Sequence, residues 1–131
     1  MKTKICIVES VYNEDITEKL SSAANKELKN SGINKVDVVK VPGAFEIPGM
    51  IARLSKKYDG FIAIGCVIKG ETANFDLICN AITNGIMQIS ITQKKPIGNS
   101  IITSFNKEQA LKRFDRGKEA AKAVLEFLKV G

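Results

Sequence analysis

Nine consecutive residues at positions 60–68, "GFIAIGCVI", carry no charge and almost no polarity. A run of this length is too short to cross a bilayer and reads as a strand buried on both faces, which requires a layer of helices above it and another below. The rest of the chain therefore has to supply flanking strands and two sets of helices.

It does so in alternation. "KICIVES" is a short β-branched run, and "DITEKLSSAANKELKNSG" follows with Ile16, Leu20, Ala23 or Ala24, and Leu28 at helical spacing before Gly32 stops it. "KVDVVKV" is a second strand. "FEIPGMIARLSKKY" is a second helix with Pro48 confined to its first turn, where a missing amide does no harm. From Thr72, the positions Phe75, Cys79, Ile82, Ile86 and Ile89 step by three or four as a third helix, and "IGNSIIT" is a fourth strand. The last helix is expected to run from about Asn106 to the end, with Ala110, Phe114, Ala121, Leu125 and Leu128 inward and Lys112, Lys118, Lys122 and Lys129 mostly outward. Four strands alternating with four helices predict an α/β chain with a four-stranded parallel sheet between two helical layers, because crossovers between parallel strands are right-handed. Without a linker, repeat or low-complexity segment, residues 1–131 are expected to form one domain.

Composition narrows the function classes. With 44% hydrophobic and 26% charged residues the chain is neither disordered nor fibrous. The start "MKTKICIVES" has too short an apolar stretch for a signal peptide, so a cytoplasmic, non-membrane location is expected. Cys6, Cys66 and Cys79 lie in apolar segments without ligand spacing, and there is no histidine, so buried reduced thiols and no metal are expected. The formal charge of +6 suits nucleic acid, an acidic surface, anionic small molecules, or simply solvated lysines on helix faces. Aromatics at 6%, with no tryptophan, leave few platforms for single-stranded nucleic acid.

In such sheets ligands bind beyond the carboxyl ends of the strands. The segments at those ends are "ESVYNED", "VPGAFEIP", "GCVIKGETANFD" and "NSIITSFN". Gly70 lets backbone approach a ligand, and amides near Glu71 and Thr72 at a helix start favour an anion such as phosphate, although either residue also serves as an ordinary helix start. The spacing matches neither a Walker loop nor a G-x-G-x-x-G fingerprint. Glu46 either accepts hydrogen bonds from a ligand or supports the helix dipole. Tyr12, beside Asn13, either stacks on a flat ring or is a partly buried tyrosine.

Taken together, "ESVYNEDIT", "VPGAFEIP", "GCVIKGET-x-x-FD" and "KPIGNSIITSFNKEQALKR" resemble the lumazine synthase family of the riboflavin pathway over nearly the whole length. The resemblance implies a flavodoxin-like three-layer α/β/α domain assembled with itself into pentamers, extending in some members to decamers or icosahedral shells of sixty, with each active site between neighbours. It implies condensation of 5-amino-6-(D-ribitylamino)uracil with the phosphate ester 3,4-dihydroxy-2-butanone 4-phosphate to 6,7-dimethyl-8-ribityllumazine, with loss of phosphate and water and without cofactor or metal. Riboflavin synthase is a further partner it suggests. By position, Tyr12 would stack on the pyrimidine, Ala44, Phe45 and Glu46 would bind the ribityl chain and ring, and Val67 and Ile68 would contact the uracil edge, with Asn13, Lys69 and Asn99 as further substrate-binding residues. Glu71 and Thr72 would hold the phosphate, which Arg113 would reach from a neighbouring subunit.

The chain departs from that family at several points. Asn74 stands where the family has its proton-transferring histidine, and an amide exchanges no proton near neutral pH. A slow enzyme is expected, with a catalytically silent scaffold or flavin-binding relative as the alternative and an unrelated flavodoxin-like nucleotide binder as a third. "RFDRGKEAAK" is shorter than the family's stretch with a second phosphate lysine, so Arg116 or Lys118 takes its place or the contact is lost. Asn99 stands where many relatives carry an aromatic that covers the pyrimidine from the adjacent subunit. With little chain before the first strand, a pentamer or decamer is expected at least as readily as a full shell.

Overall fold

The computed structural model describes residues 2–130. Its sheet is parallel throughout, in the order β2-β1-β3-β4, with β1 Lys4–Ser10, β2 Lys35–Val41, β3 Gly60–Ile68 and β4 Ile97–Ser104. All nine residues of β3 are buried, as a strand with neighbours on both sides and helices on both faces must be. Helices α1 (Glu14–Asn30), α4 (Lys107–Leu111) and α5 (Asp115–Lys129) cover one face, and α2 (Ile47–Leu54) and α3 (Phe75–Gln93) the other. This is the expected three-layer α/β/α, flavodoxin-like arrangement.

Alternation along each strand feeds two cores. Ile5, Ile7, Ile62, Ile64 and Ile102 pack under Ile16, Leu20, Ala24, Leu28 and Val124. Cys6, Val8, Phe61, Ala63 and Ile101 pack under Ile47, Ile51, Ile82 and Ile86. Each large aliphatic side chain withdrawn from water in this way contributes about 1.5–3 kcal/mol, which makes these layers the main source of stability. Ala24, not Ala23, takes the buried helical position in α1.

Three expected elements differ. The last helix is two: the chain turns at residues 112–114, with Lys112 N donating to Gln109 O and Arg113 N to Ala110 O as α4 unwinds. The turn lets α5 lie directly on α1. A Cβ on Gly117 would sit 2.1 Å from Leu20 O, so the two helix backbones touch there. The buried stripe of α5 is consequently Gly117, Ala120, Ala121 and Val124, while Phe114 and Leu125 are half-buried and Leu128 is exposed. Second, α2 ends at Leu54 and is preceded by a separate 3-10 turn, Ala44–Glu46. Third, α3 begins at Phe75 and not at Thr72, because a 3-10 turn at Lys69–Glu71 and an extended Thr72 intervene. Cys6 and Cys66 are buried as expected, but Cys79 sits at the margin of α3's inner stripe and is half-buried. Burial pushes the Cys6 thiol up to about 12 and Cys66 up to about 11, where both stay protonated. Among the described residues no helix is long and apolar enough to cross a membrane, and no cluster of metal-ligating side chains occurs.

Candidate active site

Beyond its last core residue, β1 keeps company with β2: Val11 N donates to Val41 O and Tyr12 N to Pro42 O. These bonds hold Tyr12, a residue 54% exposed, against the segment that follows β2. That segment, in turn, is pressed onto β3. A Cβ on Gly65 would lie 3.0 Å from the Ala44 Cβ and 3.1 Å from the Ile47 Cδ1, so only glycine at 65 lets the Ala44–Glu46 turn seat so close to the sheet.

Between these pieces lies a cavity of 240 Å³, walled by Tyr12, Gly43, Ala44, Phe45, Cys66, Val67, Ile68, Glu71, Thr72 and Ile78. Seven of the residues singled out from the sequence meet here: Tyr12, Ala44, Phe45, Val67, Ile68, Glu71 and Thr72. The walls are mainly apolar, with two aromatic residues, Tyr12 and Phe45, and with Glu71 and Thr72 as polar members. Such a space accepts a flat ring with polar substituents.

The remaining expected residues are disposed around it. Asn13 adopts the left-handed conformation (φ 60°, ψ 47°), and its Nδ2 donates to Glu71 Oε1 at 3.1 Å. Glu46 lies outside the cavity wall, its Oε1 accepting from Gly43 N at 2.9 Å, the closure of a short turn. Lys69 also stays outside, with Nζ 5.3 Å above the Phe105 ring. Thr72 N donates to Lys69 O, and Thr72 Oγ1 accepts from Asn74 N at 3.3 Å, so the Thr72 amide belongs to the 3-10 turn and not to the start of α3. Asn74 occupies the capping position of α3 with an exposed side chain that makes no cap bond.

Asn99 and Arg113 lie elsewhere. Asn99 is opposite Ala63, in the first half of β4, with its Oδ1 accepting from Ile101 N and its carbonyl from Arg116 Nη2. Arg113 lines a separate open cleft of 560 Å³ with Phe75, Thr103, Ser104, Phe105, Gln109 and Lys112. Within one protomer, then, Arg113 does not line the cavity that Tyr12 walls.

Sequence reasoning missed Gly43, Cys66 and Ile78 in the cavity and Phe105, Gln109 and Lys112 in the cleft. Lys112 is adjacent to Arg113 in the motif, and Phe105 is an apolar residue past a strand end; both signals were available. Cys66 and Ile78 gave none, being ordinary core residues by pattern.

Comparison with known proteins places the whole sequence in a family. The family profile described as 6,7-dimethyl-8-ribityllumazine synthase matches residues 2–131. Proteins named 6,7-dimethyl-8-ribityllumazine synthase are 39% identical to the chain in Paracidovorax citrulli, covering 96% of this chain and 85% of that protein, and in Leuconostoc mesenteroides, covering 97% and 87%. One from Limosilactobacillus reuteri is also 39% identical, over 95% and 87%. A match of this extent, on a chain whose strand ends gather the expected residues, shows that this protein belongs to the 6,7-dimethyl-8-ribityllumazine synthase family.

Proposed function

We propose that this protein, working as a single domain in the cytoplasm, joins 5-amino-6-(D-ribitylamino)uracil to 3,4-dihydroxy-2-butanone 4-phosphate in riboflavin biosynthesis, forming 6,7-dimethyl-8-ribityllumazine. The observation that carries the reading is the convergence of Tyr12, Ala44, Phe45, Val67, Ile68, Glu71 and Thr72 on one cavity. In it Tyr12 stacks on the pyrimidine, and the backbone of Val67 and Ile68 meets the uracil edge. Phe45 and the turn closed by Glu46 line the path of the ribityl chain. Thr72 and the Lys69–Glu71 turn face the phosphate.

The protein acts as a homo-oligomer, a pentamer or a larger assembly of pentamers. Two features support this. Arg113 lines a different recess from the cavity in its own protomer, which suits a site completed by the arginine of a second copy. In addition, α3 carries a single charged side chain, Asp76, over 19 residues, while Leu77, Met87 and Ile91 stand exposed along it. An outward helix face so poor in charge suits burial against a like face. Riboflavin synthase, which consumes the lumazine, is the further partner proposed.

Asn74 sets the expected rate. Aligning two reactants is worth up to about 7–11 kcal/mol, and positioned proton transfer about 3–5 kcal/mol. Retained alignment without the imidazole gives a slow synthase, with solvent carrying the proton. The second reading, a silent ligand-binding relative, is favoured by Asn74 alone. Lumazine formation from both substrates, followed by absorbance against the uncatalysed reaction with Asn74→His assayed beside the wild type, separates them. Rates above background support the synthase; background rates in both proteins overturn it.

A further inference from the structure

The shortened segment after Arg113 leaves open which second cation meets the substrate phosphate, and the cleft answers from its geometry. Neither residue that the sequence suggested lines it. Arg116 is held by its bond from Nη2 to Asn99 O at 3.1 Å, on the part of β4 remote from the strand end. Lys118 projects from α5 into solvent. Lys112 does line the cleft, next to Arg113, and it does so because the chain turns there: α4 ends at Leu111, and α5 starts only at Asp115.

The cleft is chemically one-sided. Its walls hold two cations, two phenyl rings and the polar side chains of Thr103, Ser104 and Gln109, with no carboxylate. Among the described residues, the ion pairs involve Lys40, Lys107 and Lys129, and none engages Lys112 or Arg113. Two neighbouring cations without a counter-charge repel each other, and a multivalent anion between them removes that repulsion. Gln109 Oε1 accepts from Phe105 N at 3.0 Å, which fixes the Phe105 wall, and Lys69 lies above the same ring. The wall is thus shared with the Lys69–Glu71 turn.

We propose that Lys112 is the second phosphate-binding cation, acting with Arg113 on the phosphate group of the substrate; the assignment rests on the synthase reading above. Arginine offers a planar fork to two oxygens, and lysine adds a mobile point charge on a third.

Inorganic phosphate is the probe, titrated against the assembled protein and followed by broadening and shift of its 31P resonance. Lys112→Ala is expected to weaken phosphate about tenfold, Lys112→Arg to restore most of the affinity, and Lys118→Ala to leave it unchanged. The slope of log affinity against log salt should also become shallower in Lys112→Ala. Lys112 is exposed, so its variants should melt with the wild type. Unchanged affinity in Lys112→Ala together with a loss in Arg113→Ala overturns the role of Lys112 and leaves the synthase reading standing. Unchanged affinity in both, or no response of the phosphate resonance to the wild type, overturns the cleft as a phosphate site; lumazine formation above background by the same preparation then leaves the synthase reading standing.

Discussion

Asn13 Nδ2 and Glu71 Oε1 are 3.1 Å apart, joining the end of β1 to the turn after β3 beside the cavity that Tyr12 and Glu71 line. The bond links two loops that no backbone hydrogen bond connects directly, and both its residues flank Tyr12 and Thr72. Asn13 combines this contact with a left-handed backbone, which asparagine tolerates better than most residues. Asn13→Gly keeps the conformation and removes the bond. We expect it to change stability by no more than about 1 kcal/mol while raising KM for the pyrimidine substrate severalfold. Asn13→Val, which also strains the backbone, should cost about 1–2 kcal/mol more in urea unfolding.

Asn74 carries no titrating group, so nothing at that position makes the wild-type rate respond to pH. In Asn74→His the ratio of variant to wild-type rate should change with an inflection near pH ~6.5, and kcat should rise by about tenfold or more. A ratio that is flat from pH 5.5 to 8 would count against proton transfer from this position.

Among the described residues Glu9 is the buried carboxylate, with its side chain 3% exposed and Oε2 lacking a hydrogen-bond partner. Burial raises its pKa, against the Ser21 hydroxyl and Lys40 at 3.9 Å, with Glu18 and Glu14 adding to the rise. A carboxyl whose folded pKa is raised favours the fold in its protonated form. Its contribution is full below the ordinary glutamate range and is lost as pH climbs through the raised value. Glu9→Gln should therefore unfold at higher urea than the wild type at pH 7, and the gap should close at pH 4.

Gly117 meets the backbone of Leu20, and Gly49 in α2 meets nothing within 4 Å of its would-be Cβ. Gly117→Ala is expected to cost about 3 kcal/mol or more by prising α5 from α1, whereas Gly49→Ala should add about 0.5–1 kcal/mol. Thermal melting of the two variants side by side tests the close approach directly.

Leu77 and Ile91 are 71% and 68% exposed on α3. A charge placed there meets water in a monomer but is buried in an assembly that uses this face. Leu77→Lys should reduce the mass measured by light scattering to that of smaller species, with helix content retained by circular dichroism. An unchanged mass would place the interface elsewhere.

The four strands and their parallel pairing were legible because the signal is local. An apolar run such as residues 60–68 has one physical solution, a strand covered on both faces, and the alternation of periods around it leaves little choice of layering. The meeting of residues at the strand ends was legible for a related reason: strand ends of a parallel sheet converge, so Tyr12, Ala44 and Val67, far apart in the chain, came to line one cavity. What packing alone decided is where segments of good helical sequence stop. Nothing in "EQALKRFDRGKEAA" is a strong breaker until Gly117, yet the chain turns at Lys112–Phe114 because α5 must lie backbone to backbone on α1. That turn put Lys112 and Arg113 in a cleft of their own. Likewise, the polarity of Glu9 suggests a surface, and only its position on β1 beneath α1 buries it. Periodicity reports which face of an element is apolar; it carries no information on how closely two backbones approach, and that distance decided the rest.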